Sequence, residues 1–76
     1  MIINKEQCKA ARLFLGWNQL EAAEKTGIAS STINRFESGK GGMNIENLNK
    51  IFNVFETEGI EFINNKEKFG ITILKK

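Results

Sequence analysis

The segment of residues 19–33 constrains the fold more than any other, because two short helical stretches flank a single glycine there. Gly27 permits a sharp turn at that point, since glycine accepts a positive φ without steric cost. Ala23 is small where two helices must approach closely, and the apolar residues Ile28 and Ile33 can fill the space between them. The segment therefore predicts two short helices that pack against each other across a tight turn.

Caps and apolar periodicity extend this pattern to four helices. Asparagines precede three of them as N-caps, and glycines stand where helices end. The predicted helices cover about residues 4–15, 19–25, 30–37 and 45–58. On the first helix, one apolar face is formed by Cys8, Ala11 and Leu15, with Phe14 beside them. On the last helix, the apolar stripe is formed by Ile45, Leu48, Ile51, Phe52 and Phe55. Helical spacing of this kind is typical of helices packed around one core.

After Gly59 the apolar residues are mostly β-branched and follow a strand-like pattern. Two such runs, residues 60–63 and 70–74, are separated by a polar stretch, which predicts a β-hairpin over about 60–74. Since a lone two-stranded hairpin is marginal in water, this one must pack on the helices or pair with another chain. Residues 1–76 are thus expected to form a single, mainly α domain with a short C-terminal hairpin.

The residue inventory excludes most catalytic sites. The chain contains no His, Asp, Tyr or Pro, and Cys8 is its one cysteine. Neither a metal site nor a Ser-His-Asp or Cys-His arrangement can be assembled from this set, so we expect no enzyme activity, no metal and no cofactor. Cys8 is expected to serve as a small apolar core residue and not as a redox sensor.

The sequence also predicts a cytoplasmic protein with no membrane association. No apolar run approaches the roughly 20 residues that a membrane span requires. The first residues lack the basic and apolar regions of a signal peptide, and a single cysteine agrees with a reducing compartment. The formal net charge is +2, and the positive excess lies within residues 1–42. That distribution fits a nucleic-acid surface there, although a solvated surface of mixed charge fits it nearly as well.

Two short helices around a glycine turn make up the helix-turn-helix unit, whose second helix enters the major groove of DNA. Six stretches of the sequence carry a resemblance to known proteins: Gly16-Trp17-Asn18-Gln19, Ala23-Glu24-Lys25-Thr26-Gly27-Ile28, Thr32-Ile33, Arg35-Phe36-Glu37-Ser38-Gly39-Lys40, Asn47-Leu48 and Gly59-Ile60-Glu61-Phe62-Ile63. In these stretches the sequence resembles the phage-repressor/Cro-like (XRE-type) family of helix-turn-helix regulators. The resemblance implies a compact four-helix, lambda-repressor-like domain that binds double-stranded DNA and regulates transcription.

The resemblance also implies which residues touch DNA. The positions matching base contacts lie on the third helix and are Ser30, Ser31, Thr32 and Asn34. The positions matching phosphate contacts are Asn18, Gln19, Arg35, Ser38 and Lys40. Asparagine can pair with adenine through two hydrogen bonds. Because the start of the third helix offers no Arg or Lys for guanine, we expect a site that leans toward A·T pairs.

Two further positions have structural roles in this interpretation. Arg12 and Glu37 match an ion pair of the family that joins the first helix to the end of the third. Ala29 stands where the family usually has a capping Ser, Thr or Gly, and alanine cannot cap with its side chain. Ser30 can then take over the cap, which would leave it less free to read bases. Trp17, Phe14 and the phenylalanines of the fourth helix are expected in the core and not to stack on bases.

One such domain covers few base pairs, so the resemblance implies a homodimer on an inverted-repeat operator, acting most simply as a repressor. The predicted dimer contacts are Phe55, Ile60, Phe62, Ile71 and Ile73. The alternative is a protein-interaction module, such as an antitoxin that neutralises a partner protein and autoregulates its operon. Leu20, expected to be exposed, and the hairpin would then contact that toxin-like partner. A third interpretation is a structural domain that has lost DNA binding.

Overall fold

The computed structural model describes residues 3–64 and 69–73, with side chains described as far as Ile63. Four helices are followed by two strands, which confirms the predicted mainly α fold with a C-terminal β pair. The elements are α1 (Lys5–Phe14), α2 (Gln19–Thr26), α3 (Ser30–Ser38), α4 (Ile45–Thr57), β1 (Ile60–Asn64) and β2 (Phe69–Ile73). The predicted turn of the hairpin, at residues 65–68, lies outside the described residues.

Asparagine caps fix the starts of three helices. The side chains of Asn4, Asn18 and Asn44 each accept a hydrogen bond from the backbone amide three residues later. In α1 and α2, the side-chain oxygens of Gln7 and Glu21 in turn accept a hydrogen bond from the backbone amide of the capping residue, which completes a capping box. These short-range bonds satisfy amides that a helix cannot pair internally. The helix starts are therefore encoded locally.

A glycine in the left-handed region ends both helices of the central pair. Gly27 (φ 75°) follows α2, and Gly39 (φ 78°) follows α3. Thr26 supports the first of these turns, because its hydroxyl donates to the Ala22 carbonyl at 2.7 Å and accepts from the Ile28 amide at 3.2 Å. The chain thus reverses sharply between α2 and α3, as the sequence predicts.

The core contains residues from all four helices, from the connecting segments and from β1. Its buried apolar members are Ile3, Cys8, Ala11, Ala22, Ile28, Ile33, Met43, Leu48, Ile51, Phe55, Ile60 and Phe62. Phe55 is fully buried at its centre, with ring centroids 6.1 Å from Trp17 and 6.0 Å from Phe62. The prediction that Trp17 belongs to the core is confirmed, because it packs against this cluster while keeping part of its surface exposed.

Burial of β1 corrects part of the predicted dimer surface. Phe55 and Ile60 are 0% exposed and Phe62 is 5% exposed within the single chain. Side chains without accessible surface have nothing to offer a second copy, so the prediction of dimer contacts for these three residues is wrong. Their apolar surface is buried because β1 packs on α4 of the same chain. The side chains of Ile71 and Ile73 lie outside the described residues.

Two residues predicted to be apolar contacts inside the fold are exposed instead. Phe14 precedes Leu15, and adjacent residues point about 100° apart around a helix, so Phe14 turns away from the buried face of α1 and is 57% exposed. Ile45 is the first residue of α4, one turn before the buried Leu48, and is 61% exposed. Both positions leave apolar surface on the outside of the molecule.

The two strands form an antiparallel pair. Ile60 lies opposite Ile73 and Phe62 opposite Ile71 in the register. Gln7 of α1 is buried and donates from Nε2 to the main-chain carbonyl of Ile63 at 3.0 Å, which ties β1 to the first helix. Among the described residues, the helices are too short or too polar to cross a membrane.

Candidate nucleic-acid interface

The outer face of α3 carries the residues predicted to read bases. Ile33 is buried on the inner face and anchors the helix in the core. Ser31 and Asn34 are exposed on the opposite side, while Ser30 and Thr32 are partly covered. The structure therefore brings a row of short polar side chains to one surface of the second helix of the pair, as a helix that enters a groove requires.

A buried ion pair holds α3 against α1. The Arg12 guanidinium donates from Nη2 to Glu37 Oε1 at 2.8 Å and from Nε to Glu37 Oε2 at 2.9 Å. The two side chains are only 8% and 3% exposed. Arg12 also donates from Nη1 to the Trp17 carbonyl at 2.9 Å, so all three nitrogens of its guanidinium donate hydrogen bonds. The predicted Arg12–Glu37 pair is thus present, and it joins three segments of the chain.

The surroundings of this pair shift the acidity of Glu37 and Cys8. Burial by itself would raise the pKa of Glu37, but hydrogen bonds from Arg12 and Gln19 and the guanidinium charge outweigh it and hold that pKa below its ordinary value. Burial, together with the neighbouring carboxylate, raises the pKa of the Cys8 thiol. The Cys8 Sγ lies 3.5 Å from Glu37 Oε2 as a weak donor. Cys8 is accordingly a neutral, buried core residue.

Gln19, at the start of α2, connects this pair to the exposed face of α3. Its Nε2 donates to Glu37 Oε1 at 3.3 Å. Its Oε1 accepts from Asn34 Nδ2 at 3.0 Å. The chain of contacts from Arg12 through Glu37 and Gln19 to Asn34 thus runs from the core to the surface. The sequence pattern singles out Gln19 and Asn34 separately, but their contact depends on how α2 and α3 pack.

The start of α3 has no side-chain cap. Ala29 occupies the cap position, and no side chain accepts a hydrogen bond from the first amides of the helix. The Ala29 carbonyl accepts from the amides of Thr32 and Ile33, which begins the helical ladder. The suggestion that Ser30 takes over as the cap is therefore wrong, and its hydroxyl is not engaged in capping α3.

Cationic side chains gather at the far end of α3, beside the glycine loop. Arg35 and Lys40 are exposed, and a methyl group built on Gly41 would lie 3.2 Å from the Arg35 guanidinium. The Lys5 ammonium reaches the same loop from α1, since a methyl group on Gly39 would lie 2.8 Å from its Nζ. Sequence reasoning missed Lys5, because its approach to the loop depends on the packing of α1 against α3.

The remaining predicted phosphate contacts lie near the two ends of the unit. Ser38 is exposed and its hydroxyl donates to the Arg35 carbonyl at 3.2 Å. Asn18 is exposed, but its side-chain oxygen caps α2 by accepting from the Glu21 amide at 2.7 Å. No group of three or more possible metal ligands occurs among the described residues.

This geometry defines a class of protein. Two short helices meet across a left-handed glycine, and the second of them presents an exposed polar face with cationic side chains at its end. That second helix is fixed from behind by a buried ion pair. An assembly of this kind is a DNA-binding helix-turn-helix domain.

Comparison with known families supports the same class. The family model described as helix-turn-helix matches residues 9–62, which span α2, α3 and α4 completely. The chain belongs to the phage-repressor/Cro-like (XRE-type) helix-turn-helix family and is a DNA-binding transcription regulator. The comparison with curated proteins gives no match.

Proposed function

We propose that the protein is a sequence-specific transcriptional repressor that binds an inverted-repeat operator as a homodimer. The observation that carries this proposal is the polar face of α3, which is exposed while the helix is fixed by the buried Arg12–Glu37 pair. A rigidly held helix can present the same hydrogen-bonding groups to every site, as sequence-specific readout requires. Repression then follows when the bound dimer occupies a promoter.

In the proposed complex, α3 lies in the major groove. Ser30, Ser31, Thr32 and Asn34 face base edges, and none of them is charged. The phosphate contacts come from Asn18, Gln19, Arg35, Ser38 and Lys40. We add Lys5 to this set, because its ammonium lies beside the loop that follows α3. Phosphate contacts position the protein on the duplex, while the polar face of α3 selects the sequence.

The homodimer is proposed from the geometry of DNA and not from an observed contact between two copies of the chain. Two recognition helices about 34 Å apart would enter successive major grooves on one side of the duplex. The strand β2 remains the candidate contact through Ile71 and Ile73, since the outer strand of a sheet presents backbone groups to which another strand can pair. We further propose that residues 1–76 act as one domain in the cytoplasm.

Selection of bound duplexes from a random DNA library tests the proposed function. The expected result is an enriched inverted repeat, leaning toward A·T pairs, with half-site centres about one helical turn apart. A consensus without two-fold symmetry would contradict the homodimer, and G·C-rich half-sites would contradict the predicted base preference. Absence of enrichment even at low salt, where phosphate contacts bind best, would refute sequence-specific binding.

A second candidate function is supported by exposed apolar side chains. Among the described residues, four large apolar side chains are 57–64% exposed to solvent: Leu13, Phe14, Leu20 and Ile45. Such residues fit an antitoxin-like module that binds a toxin-like protein and regulates its own operon. Substitution of Leu20 by Gln separates the two functions, because Leu20 is not one of the proposed DNA contacts. The substitution should weaken a protein contact and leave operator affinity unchanged.

A further inference from the structure

We propose that Gly41 is a positioning residue for DNA binding. Because it has no side chain, the Nε–Nη2 edge of the Arg35 guanidinium stays open for two hydrogen bonds to one phosphate of the duplex. The inference rests on the proposed function, since it concerns the phosphate contact of Arg35 in the same interface. It adds a residue of the loop after α3 that the sequence pattern does not single out.

The Arg35 guanidinium keeps its donors available for a ligand. Its side chain is exposed on α3, and within the described part of the chain it donates no hydrogen bond and forms no ion pair. Arg12, by contrast, uses all three guanidinium nitrogens inside the protein. A guanidinium is a planar fork of N–H groups that matches two oxygens of a phosphate. Arg35 can therefore bind a phosphate through two bonds if one edge of this fork is accessible.

The space beside this fork is the space that a side chain at position 41 would fill. A methyl group built on Gly41 would lie 3.2 Å from Nη2, 3.4 Å from Nε and 3.6 Å from Cζ of Arg35. It would be nearer to both nitrogens than to the carbon that joins them, so it would stand toward their donor edge. A phosphate oxygen bound at this edge needs the same space, because such hydrogen bonds are about 2.7–2.9 Å long.

The loop is held in place, because its main chain is tied to Arg35 itself. The Lys40 amide donates to the Arg35 carbonyl at 2.9 Å. The Gly39 amide and the Ser38 hydroxyl donate to the same carbonyl oxygen. The guanidinium, in contrast, is the far end of a flexible and exposed side chain. A methyl group at position 41 would therefore displace the guanidinium and not the loop, and it would cover the Nε–Nη2 edge.

The neighbouring Gly42 provides a matched control. Neither Gly41 nor Gly42 has a positive φ, so alanine fits the backbone at both positions. A methyl group built on Gly42 meets nothing within 4 Å. Gly41→Ala and Gly42→Ala are thus the same chemical change at adjacent positions of one loop, and only the change at position 41 reaches Arg35.

Operator affinities of single variants test the proposal. Dissociation constants are measured by fluorescence anisotropy on the selected operator. Gly41→Ala should bind about tenfold more weakly than the unmodified protein, since a hydrogen bond to a charged group contributes at least that factor. Arg35→Lys keeps the positive charge but lacks the fork, so it should be weakened to a similar extent. Gly42→Ala should bind like the unmodified protein.

A double variant separates positioning of Arg35 from a merely structural role of Gly41. Gly41→Ala combined with Arg35→Lys should bind no more weakly than Arg35→Lys alone, because a fork that is already lost cannot be blocked. A structural role would weaken the double variant further. Urea unfolding of Gly41→Ala should show no loss of stability, since alanine fits the backbone there.

Three results would overturn the inference: a Gly41→Ala protein that binds as Gly42→Ala does, an effect of Gly41→Ala that persists beside Arg35→Lys, and an Arg35→Lys protein with full affinity. Each occurs with a protein that still selects an operator, so the proposed function survives them. If no operator is selected, the same variants are compared on a random duplex at low salt, where phosphate contacts bind without regard to sequence. Weaker binding of Gly41→Ala alone among the two glycine variants would then support the inference although the proposed function fails.

Discussion

The carboxylate of Glu37 joins three helices, because it stands on α3 and accepts hydrogen bonds from Arg12 of α1 and Gln19 of α2. At 3% exposure it is shielded from solvent. Ion pairs on the surface contribute little to stability, but removing one partner of a buried pair leaves a charge without compensation. The stability of the domain should therefore be unusually sensitive at this position.

We expect Glu37→Ala to lower the free energy of unfolding by about 3–5 kcal/mol, because Arg12 would remain buried without its partner. Urea unfolding followed by circular dichroism measures this change. Glu46→Gln is the matched control, since Glu46 is 79% exposed in its 3.9 Å pair with Lys50. The control should change stability by less than about 0.5 kcal/mol. Equal effects of the two substitutions would show that the buried pair is not important for stability.

The same carboxylate predicts how stability depends on pH. The pKa of Glu37 is lower in the folded protein than in the unfolded chain, so the folded form holds its proton less tightly. The resulting stabilisation is complete above the unfolded pKa, about 4.3, and is lost as the pH falls through the folded value. Urea unfolding between pH 7 and pH 3 should show a smaller acid-dependent loss for Glu37→Gln than for the unmodified protein. Parallel pH profiles would contradict this assignment.

At the scale of single elements, α3 differs from the other three described helices because its start has no side-chain cap. The asparagine caps of α1, α2 and α4 bond the first amides, whereas Ala29 offers α3 no side-chain acceptor. Ala29 already has an extended backbone (φ −58°, ψ 139°), so a serine there could cap without rearrangement. The recognition helix is thus held by its tertiary contacts more than by its own sequence.

We expect Ala29→Ser to stabilise the protein by about 1 kcal/mol, because the new hydroxyl can accept from a free amide of α3. Thermal unfolding by calorimetry measures the shift. Asn44→Ala provides the opposite comparison, since Asn44 caps α4 through a 2.7 Å bond to the Asn47 amide. Asn44→Ala should lower the free energy of unfolding by a similar amount, about 1 kcal/mol. If Ala29→Ser does not stabilise the protein while Asn44→Ala does destabilise it, the start of α3 cannot accept a side-chain cap.

The elements also show where sequence reasoning succeeds and where it ends. Helix ends at Asn4, Asn18, Gly27 and Gly39 follow from neighbouring residues, so local chemistry predicts them. Neighbouring residues in the sequence do not determine which residue an apolar side chain packs against. Phe55 could have faced a second copy or β1 of its own chain, and only the path of the chain after Gly59 decides between them. The Gln19–Asn34 and Lys5–Gly39 approaches escape prediction for the same reason, since each joins different elements.

On the scale of the whole molecule, we expect the distribution of cations to determine how the protein approaches DNA. The Lys5 ammonium and the Arg35 guanidinium lie against the loop after α3, where Lys40 also stands. Binding to phosphates releases counterions, so the logarithm of affinity falls with the logarithm of salt concentration by about 0.9 per contact. The slope of this dependence therefore gives the number of phosphate contacts in the complete complex.

This count tests Lys5 and the homodimer together. If two copies bind one operator and each contributes Lys5, Lys5→Gln removes two contacts and should reduce the slope by about 1.8. A single bound copy would lose one contact, or about 0.9. Fluorescence anisotropy on the selected operator between 50 and 300 mM salt gives the slope for each protein.

Lys50→Gln is the control for charge alone, because Lys50 lies on α4 and is not one of the proposed phosphate contacts. Its slope should equal that of the unmodified protein, since net charge without a phosphate contact releases no counterion from DNA. Equal slopes for Lys5→Gln and Lys50→Gln would remove Lys5 from the interface. A reduction near 0.9 for Lys5→Gln would keep Lys5 on the DNA and argue against two copies, because only two-fold symmetry doubles the effect of a single substitution.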